Sequence, residues 1–291
     1  MRYPGAKGKL IHEIGGFIFA YYRLNAEIPY REPFFGSGAL GLHIMKWRVL
    51  SSAWVNDADP GIAAIWQTIL DQPEQLCDAI LGFTPSTDAF YSIKSRLLAG
   101  MIADPVQLAL SKLAIHQISF SGLGVMAGGP LGGRTQRVEG AIASRWNAER
   151  LCGEVRRAQR VMQQSNAVVT SLDFQAVIDG PGRAFLYLDP PYYQKGPELY
   201  QHAFTESDHL RLADCLRRTT NPWLLSYDDT PGIREMYESC EMVELTDLNY
   251  SINTARRMGE LLILSPGLPN LFDQVSDKRH CASMGRDIFD E

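Results

Sequence analysis

Short apolar runs alternate with helical segments along two stretches of this chain, and this alternation constrains the fold more than any other feature of the sequence. The apolar runs predict strands at 29–35, 52–55, 167–170, 184–188, 223–227, 242–245 and 261–264. The segments between them predict helices at 8–24, 39–47, 62–70, 207–219 and 232–238. Strands that alternate with helices are typical of parallel βαβ units. The sequence therefore predicts an α/β protein built around a mainly parallel sheet.

The middle of the chain has a different pattern. Residues 74–163 are predicted to be mostly helical, because their apolar positions recur at helix-like spacing, and a glycine-rich loop at 122–140 interrupts them. This pattern predicts an inserted, mainly helical subdomain. After Pro266 the sequence is polar and contains Pro and Gly, which predicts a loosely packed tail at 266–291.

Composition argues against several classes of protein. The longest apolar candidate, 17–22, is far shorter than the ~20 residues that cross a bilayer, and the first residues lack the pattern of a secretory signal. The five cysteines include no C-x-x-C pair, which argues against a disulfide framework and against a zinc site. We therefore expect a cytoplasmic protein with neither a metal nor a membrane partner.

The charge distribution is uneven along the chain. A net charge of −5 disfavours nucleic acid as a partner, because Lys and Arg must neutralise its phosphates. Residues 134–160, however, contain more arginines than glutamates. A solvated, salt-bridged helix surface would also account for this excess. The alternative hypothesis is that the loop arginines Arg134 and Arg137 contact DNA.

The tetrapeptide Asp189-Pro190-Pro191-Tyr192 follows a predicted strand. Ligands of open α/β sheets bind at the carboxyl ends of the strands. The two prolines fix the backbone, so that the Asp189 carboxylate and the Pro190 carbonyl become fixed acceptors. Two acceptors facing the hydrogens of an aryl amine would free its lone pair for attack, and Tyr192 could stack on a flipped base. An ordinary proline-rich turn is the alternative.

A glycine turn, Gly36-Ser37-Gly38, follows the first predicted strand, directly after Phe34-Phe35. Glycines at this point let the backbone approach a ligand, and the next helix begins there. Together with Gly41 the spacing also satisfies G-x-G-x-x-G, so a dinucleotide-dependent oxidoreductase must be considered. A simple tight turn is the third interpretation.

Acidic residues follow two further strands. Asp57 ends the second predicted strand about 20 residues after the glycines, where a carboxylate can accept hydrogen bonds from a ribose. Asp173-Phe174 follows another strand and could contact the purine of a cofactor. Each aspartate could instead cap a helix.

With these residues assembled, the chain resembles the Dam-like (D12 class) N6-adenine DNA methyltransferases, from residue 2 to about residue 264. The resemblance rests on R-Y-P-G-A-K at 2–7, E-P-F-F-G-S-G at 32–38, N-D at 56–57, S-L-D-F at 171–174 and D-P-P-Y at 189–192. It continues through F-T and D-H at 204–209, L-L-S-Y-D-D at 224–229 and the segment 250–263.

The resemblance implies a Rossmann-like, S-adenosylmethionine-dependent methyltransferase fold. Its catalytic domain would comprise 1–70 and 166–265, and its target-recognition subdomain 71–165. Double-stranded DNA would be the partner and S-adenosylmethionine the methyl donor. Position by position, the resemblance implies that the donor is bound by Tyr3, Lys7, Asp57 and Asp189.

Several alternatives stay open at this stage. One is a methyltransferase-like DNA-binding module without activity. A monomer of bacterial or phage origin is the expectation. The sequence does not distinguish a solitary or phage-borne enzyme from one that is paired with a restriction endonuclease.

Overall fold

The computed structural model describes residues 11–25, 27–194, 204–245 and 260–268. Tyr3 and Lys7 lie outside the described residues, as do the segment 250–259 of the resemblance and most of the predicted tail. The predicted α/β fold is confirmed, and it is Rossmann-like.

One sheet organises the described part of the chain. Its strands are Tyr30–Glu32 (β1), Ala53–Asn56 (β2), Ala167–Thr170 (β3), Phe185–Leu188 (β4), Trp223–Asp228 (β5), Glu241–Leu245 (β6) and Glu260–Leu264 (β7). Their spatial order is β3-β2-β1-β4-β5-β7-β6. Strands β1 to β5 are parallel, whereas β7 runs antiparallel between β5 and β6. The order reverses between β1 and β4, which is where open α/β sheets bind ligands.

The helices of the described residues lie between these strands. They are Ile11–Leu24 (α1), Ala39–Met45 (α2), Pro60–Asp71 (α3), Pro73–Gly82 (α4), Thr87–Leu98 (α5), Pro105–Ile118 (α6), Ala148–Gln164 (α7), Phe174–Ile178 (α8), Glu206–Arg218 (α9) and Pro231–Met236 (α10). Several begin where the sequence supplies a cap: Asp59, Ser86, Asp104, Asn147 and Thr205 each accept backbone N–H groups of the following helix. Strand β1 is shorter than the predicted 29–35, because Pro33 has no N–H to donate.

Two cores cover the two faces of the sheet. Phe185 and Tyr187 of β4 belong to one core, while Leu186 and Leu188 belong to the other, as strand alternation requires. Helices α1 to α3 contribute to the first core, and α8 to α10 contribute to the second. The sheet is therefore covered on both faces, which leaves its carboxyl edge for a site.

The helical middle of the chain has two parts. Helices α4, α6 and α7 contribute buried side chains to the first core of the sheet, so they are continuous with the α/β body. A separate small core joins α5, the second half of α6 and the following loop, through Phe90, Ile93, Ala114, Ile115, Ile118, Val125 and Ile142. We call residues 83–98 and 114–146 the small lobe. It is the part of the predicted insertion that has a core of its own.

Candidate active site

The acidic and glycine residues singled out from the sequence lie at one edge of the sheet. The glycine turn follows β1, Asp57 follows β2, Asp173 comes after β3 and Asp189 directly follows β4. All four strands are parallel neighbours, so their carboxyl ends form one continuous edge. The described residues thus include a single row of candidate site residues at the place that the sequence predicts.

The glycine turn has a backbone conformation that favours glycine. Gly36 and Gly38 have φ values of 46° and 67°, in the left-handed region that glycine adopts without strain. A Cβ on Gly38 would lie 2.7 Å from Cζ2 of Trp66, and the Trp66 indole N–H donates to the Gly36 carbonyl at 3.0 Å. Trp66 therefore packs against the turn and fixes its shape.

Gly41 has a structural role. A Cβ on Gly41, in α2, would lie 2.4 Å from a carboxyl oxygen of Glu32, so the glycine lets the helix approach the end of β1. The Tyr30 hydroxyl donates to that same Glu32 oxygen at 2.7 Å. Burial, together with the nearby charge of Asp189, raises the pKa of Glu32 well above its usual range. A buried carboxyl group with a raised pKa therefore lies beneath the site, and the sequence analysis did not assign it.

Asp57 organises the backbone around the glycine turn. One carboxyl oxygen accepts the N–H of Gly36 at 2.8 Å, and the other accepts the N–H of Asp59 at 2.9 Å. Asp59, and not Asp57, caps α3, so the capping alternative for Asp57 is wrong. Burial and the charge of Asp59 raise the pKa of Asp57 to about 7.

Asp173 has two structural partners. It caps α8 by accepting the N–H of Gln175 at 3.0 Å, as the capping alternative expects. It also forms a bidentate ion pair with Arg211, at 2.8 and 2.9 Å. The Arg211 guanidinium lies 4.2 Å above the Phe174 ring, and the Phe34 ring lies 5.7 Å from Phe174 on centroids. These aromatic rings form a cluster beside the glycine turn.

The turn at 189–192 is held by β5 and β7. Ser226 in β5 donates to an Asp189 carboxyl oxygen at 3.4 Å. The Tyr192 hydroxyl donates to Glu260 at 3.2 Å, and the Tyr192 side chain is only 7% exposed. Pro190 is buried, while Asp189 is partly exposed. The tetrapeptide 189–192 is therefore held in place by side chains of two neighbouring strands, and its two prolines restrict its backbone further.

Asp228 and Asn56 are site residues that the sequence analysis did not assign. The Asp228 carboxylate, 2% exposed, accepts the N–H groups of Tyr193 at 2.9 Å and Gln194 at 3.2 Å. The Asn56 side chain donates to the carbonyls of Pro33 and Leu172, each at 3.0 Å. Their position at the ends of predicted strands could have indicated them. A polar side chain that is buried at a strand end needs hydrogen-bond partners, and the neighbouring loops at that edge of the sheet supply them.

The arginines of the helical segment divide into two groups. On α7, Arg156 pairs with Glu74 at 2.6 Å and Arg150 pairs with Glu154 at 3.8 Å, as the solvated, salt-bridged interpretation expects. Arg134 and Arg137 are both exposed in the small lobe, and neither takes part in an ion pair within the described residues. The Arg134 guanidinium lies 5.8 Å from the centroid of the Tyr91 ring.

The described ranges offer neither a cluster of metal-ligand side chains nor a membrane-spanning helix. They contain no group of three or more His, Cys, Asp and Glu side chains that could hold a metal ion. Among the helices of those ranges, none is long and apolar enough to cross a membrane.

Comparison with known proteins identifies the family. Curated protein sequences give no match. Among solved structures, a protein assigned as a class I S-adenosylmethionine-dependent methyltransferase from Listeria monocytogenes has a TM-score of 0.35 and 12% sequence identity. The match covers 86% of this chain and 58% of that one. A model of the D12 class N6 adenine-specific DNA methyltransferases matches residues 3–252. The chain therefore belongs to the D12 class N6 adenine-specific DNA methyltransferase family.

Proposed function

We propose that this protein transfers a methyl group from S-adenosylmethionine to N6 of an adenine in double-stranded DNA. The observation that carries the proposal is the segment 189–192, which β5 and β7 hold at the carboxyl end of β4, beside the glycine turn of β1. Membership of the D12 class supports the same reaction.

In the proposed reaction, two acceptors orient the adenine amine. The Asp189 carboxylate and the Pro190 carbonyl accept its two N–H groups, so that the nitrogen lone pair points at the methyl group. The S–CH₃ bond breaks as the N6–CH₃ bond forms, and the amine then loses one proton. Holding both reactants in line can remove ~7–11 kcal/mol of barrier. Tyr192 stacks on the extruded base, and the Glu260 contact fixes its ring.

The proposed methyl-donor site lies along the same edge. Gly36, Ser37 and Gly38 contact the donor through their backbone, and Asp57 accepts hydrogen bonds from its ribose. Phe34, Asp173 and Phe174 flank its purine. The rings of Phe34 and Phe174 already lie against each other, which suits an aromatic ligand. Tyr3 and Lys7 complete the proposed site from outside the described residues.

The catalytic test compares two aspartates. We expect Asp189→Ala to lower the turnover of methyl transfer by about 100-fold or more, because general acid–base and positioning groups contribute on that scale. The matched control is Asp179→Ala, an exposed residue at the end of α8. The product is identified as N6-methyladenine by mass spectrometry of digested DNA.

Three outcomes of this test would count against the proposal. The proposed role of Asp189 fails if Asp189→Ala retains methyl transfer near the wild-type rate with normal DNA binding. Tight binding of NAD without binding of S-adenosylmethionine would favour the oxidoreductase alternative. DNA binding by the wild type without any methyl transfer would indicate an inactive DNA-binding module.

We also propose that the segment 71–165 recognises the DNA target, and that the small lobe carries most of the contacts. The support is the charge of its exposed loop. Replacing Arg134 and Arg137 together by alanine should reduce the slope of log affinity against log salt by about 1.8, since each phosphate contact contributes ~0.9. The matched control removes two arginines that are already ion-paired, Arg150 and Arg156. Equal slopes for the two double variants would exclude the loop from the interface.

The remaining proposals concern the setting of the reaction. We propose a cytoplasmic monomer of bacterial or phage origin. It could act alone or beside a restriction endonuclease. Light scattering on the purified protein tests the monomer, and a stable dimer would contradict it. Sequencing the methylated genome of cells that express the protein identifies the target sequence.

A further inference from the structure

A buried lysine of the helical segment reaches the edge of the sheet. Lys112 lies in α6, where every residue from 109 to 118 is buried. Its Nζ is 2.5 Å from a carboxyl oxygen of Asp59, and the two side chains are 5% and 11% exposed. Gly61 leaves room for the lysine, because a Cβ there would lie 2.8 Å from Cδ of Lys112.

This ion pair is connected to the glycine turn through Asp57. The backbone N–H of Asp59 donates to one Asp57 oxygen, and the N–H of Gly36 donates to the other. Asp59 also caps α3 with the oxygen that does not face Lys112. A continuous chain of contacts therefore joins α6 to the proposed methyl-donor site.

The charges along this chain act on Asp57 in opposite directions. Burial and the neighbouring Asp59 raise the pKa of Asp57, whereas the hydrogen bonds from the backbone N–H groups of Asp59 and Gly36, and then the Lys112 charge, lower it. His116, one turn further along α6, also faces this pair, and burial lowers its pKa to about 4, so it is uncharged near neutral pH. Ionised Asp57 is the form that accepts two hydrogen bonds from a ribose diol.

The other end of α6 enters the small lobe. The ring of His116 donates through Nδ1 to the Gly122 carbonyl at 2.8 Å, and Ser119 then begins the loop that precedes Arg134. One helix thus carries both a residue that acts on Asp57 and a residue that holds the proposed DNA-facing loop.

We propose that Lys112 is a positioning residue for the methyl donor: its positive charge, held by Asp59 beside Asp57, opposes the effects of burial and of Asp59 on Asp57 and so favours the carboxylate form that binds the ribose. This inference rests on the proposed function, in which Asp57 contacts the donor. A merely stabilising ion pair would affect folding but would leave the pH dependence of donor binding unchanged.

The test measures the dissociation constant of S-adenosylmethionine between pH 6 and 9 by calorimetry. The dissociation constant of each variant is divided by that of the wild type at the same pH. Titration of the ligand itself does not affect this ratio, because both proteins bind the same ligand. For Lys112→Met we expect binding to be about fivefold weaker at pH 7 and about tenfold weaker at pH 6, the ratios that follow if the pKa of Asp57 rises by about one unit from about 7. The ratio should approach one at pH 9, where Asp57 ionises in both proteins.

A second variant keeps the test usable if Lys112→Met does not fold. Asp59→Asn retains a good capping residue and removes the charge that opposes Asp57 ionisation. We expect it to bind the donor more tightly than the wild type at pH 6 and equally at pH 9. Lys94→Met is the control, because Lys94 donates to the Ala127 carbonyl within the small lobe, away from Asp57.

The outcomes separate the two proposals. A wild type that does not bind S-adenosylmethionine refutes the proposed function. A wild type that binds the donor, with variant ratios that stay constant from pH 6 to 9, refutes only the role of Lys112.

Discussion

Replacing Gly38 by alanine tests whether the shape of the glycine turn is needed for donor binding. Alanine at φ 67° costs about 1–2 kcal/mol, because its Cβ crowds the backbone in the left-handed region. The new Cβ also lies 2.7 Å from Trp66, which must move and give up its hydrogen bond to Gly36. That hydrogen bond contributes about 0.5–1.5 kcal/mol.

The two contributions together amount to about 1.5–3.5 kcal/mol, and they act on the turn that the donor must contact. If donor binding requires the turn as it stands, the dissociation constant of S-adenosylmethionine should rise by about 10–300-fold, since 1.4 kcal/mol corresponds to a factor of ten. Calorimetry gives this constant directly, and thermal unfolding of the same samples gives the change in stability.

Gly100→Ala is the matched control. Gly100 has a φ of 63°, and no atom lies within 4 Å of the place that a Cβ would occupy, so alanine there adds backbone strain without a clash. We expect a small loss of stability and unchanged donor affinity. The reasoning is refuted if Gly38→Ala binds the donor as tightly as the wild type, or if the two variants lose affinity equally.

Three further predictions follow from the described contacts. Asp228→Asn should lower turnover by about tenfold and change donor affinity little. The reason is that one of the two N–H groups at 193–194 loses its carboxylate acceptor. Unchanged turnover would contradict this role of Asp228. Phe185→Ala should lower the free energy of unfolding by about 3–5 kcal/mol in urea, since its ring is fully buried. Three buried histidines should lower stability as the pH falls from about 6.5 to 4, because the unfolded state takes up protons there that they do not. The raised pKa values of Asp57 and Glu32 oppose part of this loss, since those carboxyl groups bind protons in the folded state. Burial lowers the pKa of His43, His116 and His209 to about 4, and thermal unfolding against pH measures the loss.

Local patterns in the sequence were sufficient to predict the sheet. The apolar run 167–170 coincides with β3, because a buried parallel strand needs apolar residues and little else. Helix α8 was not predicted, since its five residues are too few to show a helical period. Periodicity also failed to indicate which helices of the middle segment pack on the sheet. In α6 the buried residues lie on all sides of the helix. No single apolar stripe therefore shows that one part of it packs against the first core of the sheet and the other part against the small lobe.

The candidate site was predicted as residue types but not as contacts. Asp57 and Asp59 are both plausible caps from the sequence, and only the three-dimensional arrangement shows that Asp59 caps α3 while Asp57 holds the glycine turn. Asp228 and Tyr193 are 35 residues apart. No local pattern reports such a pairing, because it depends on the order of strands in the sheet.

The antiparallel strand β7 has a consequence for how the protein is made. It lies between β5 and β6 and is synthesised after both, so a nascent chain that ends before residue 260 leaves these two strands without a common neighbour. Glu260, the first residue of β7, then anchors Tyr192. Because β7 is synthesised last of the seven strands, the segment 189–192 would acquire this support only late in translation. A nascent chain that ends before β7 would also lack Leu261 to Leu264, which belong to the two cores of the sheet.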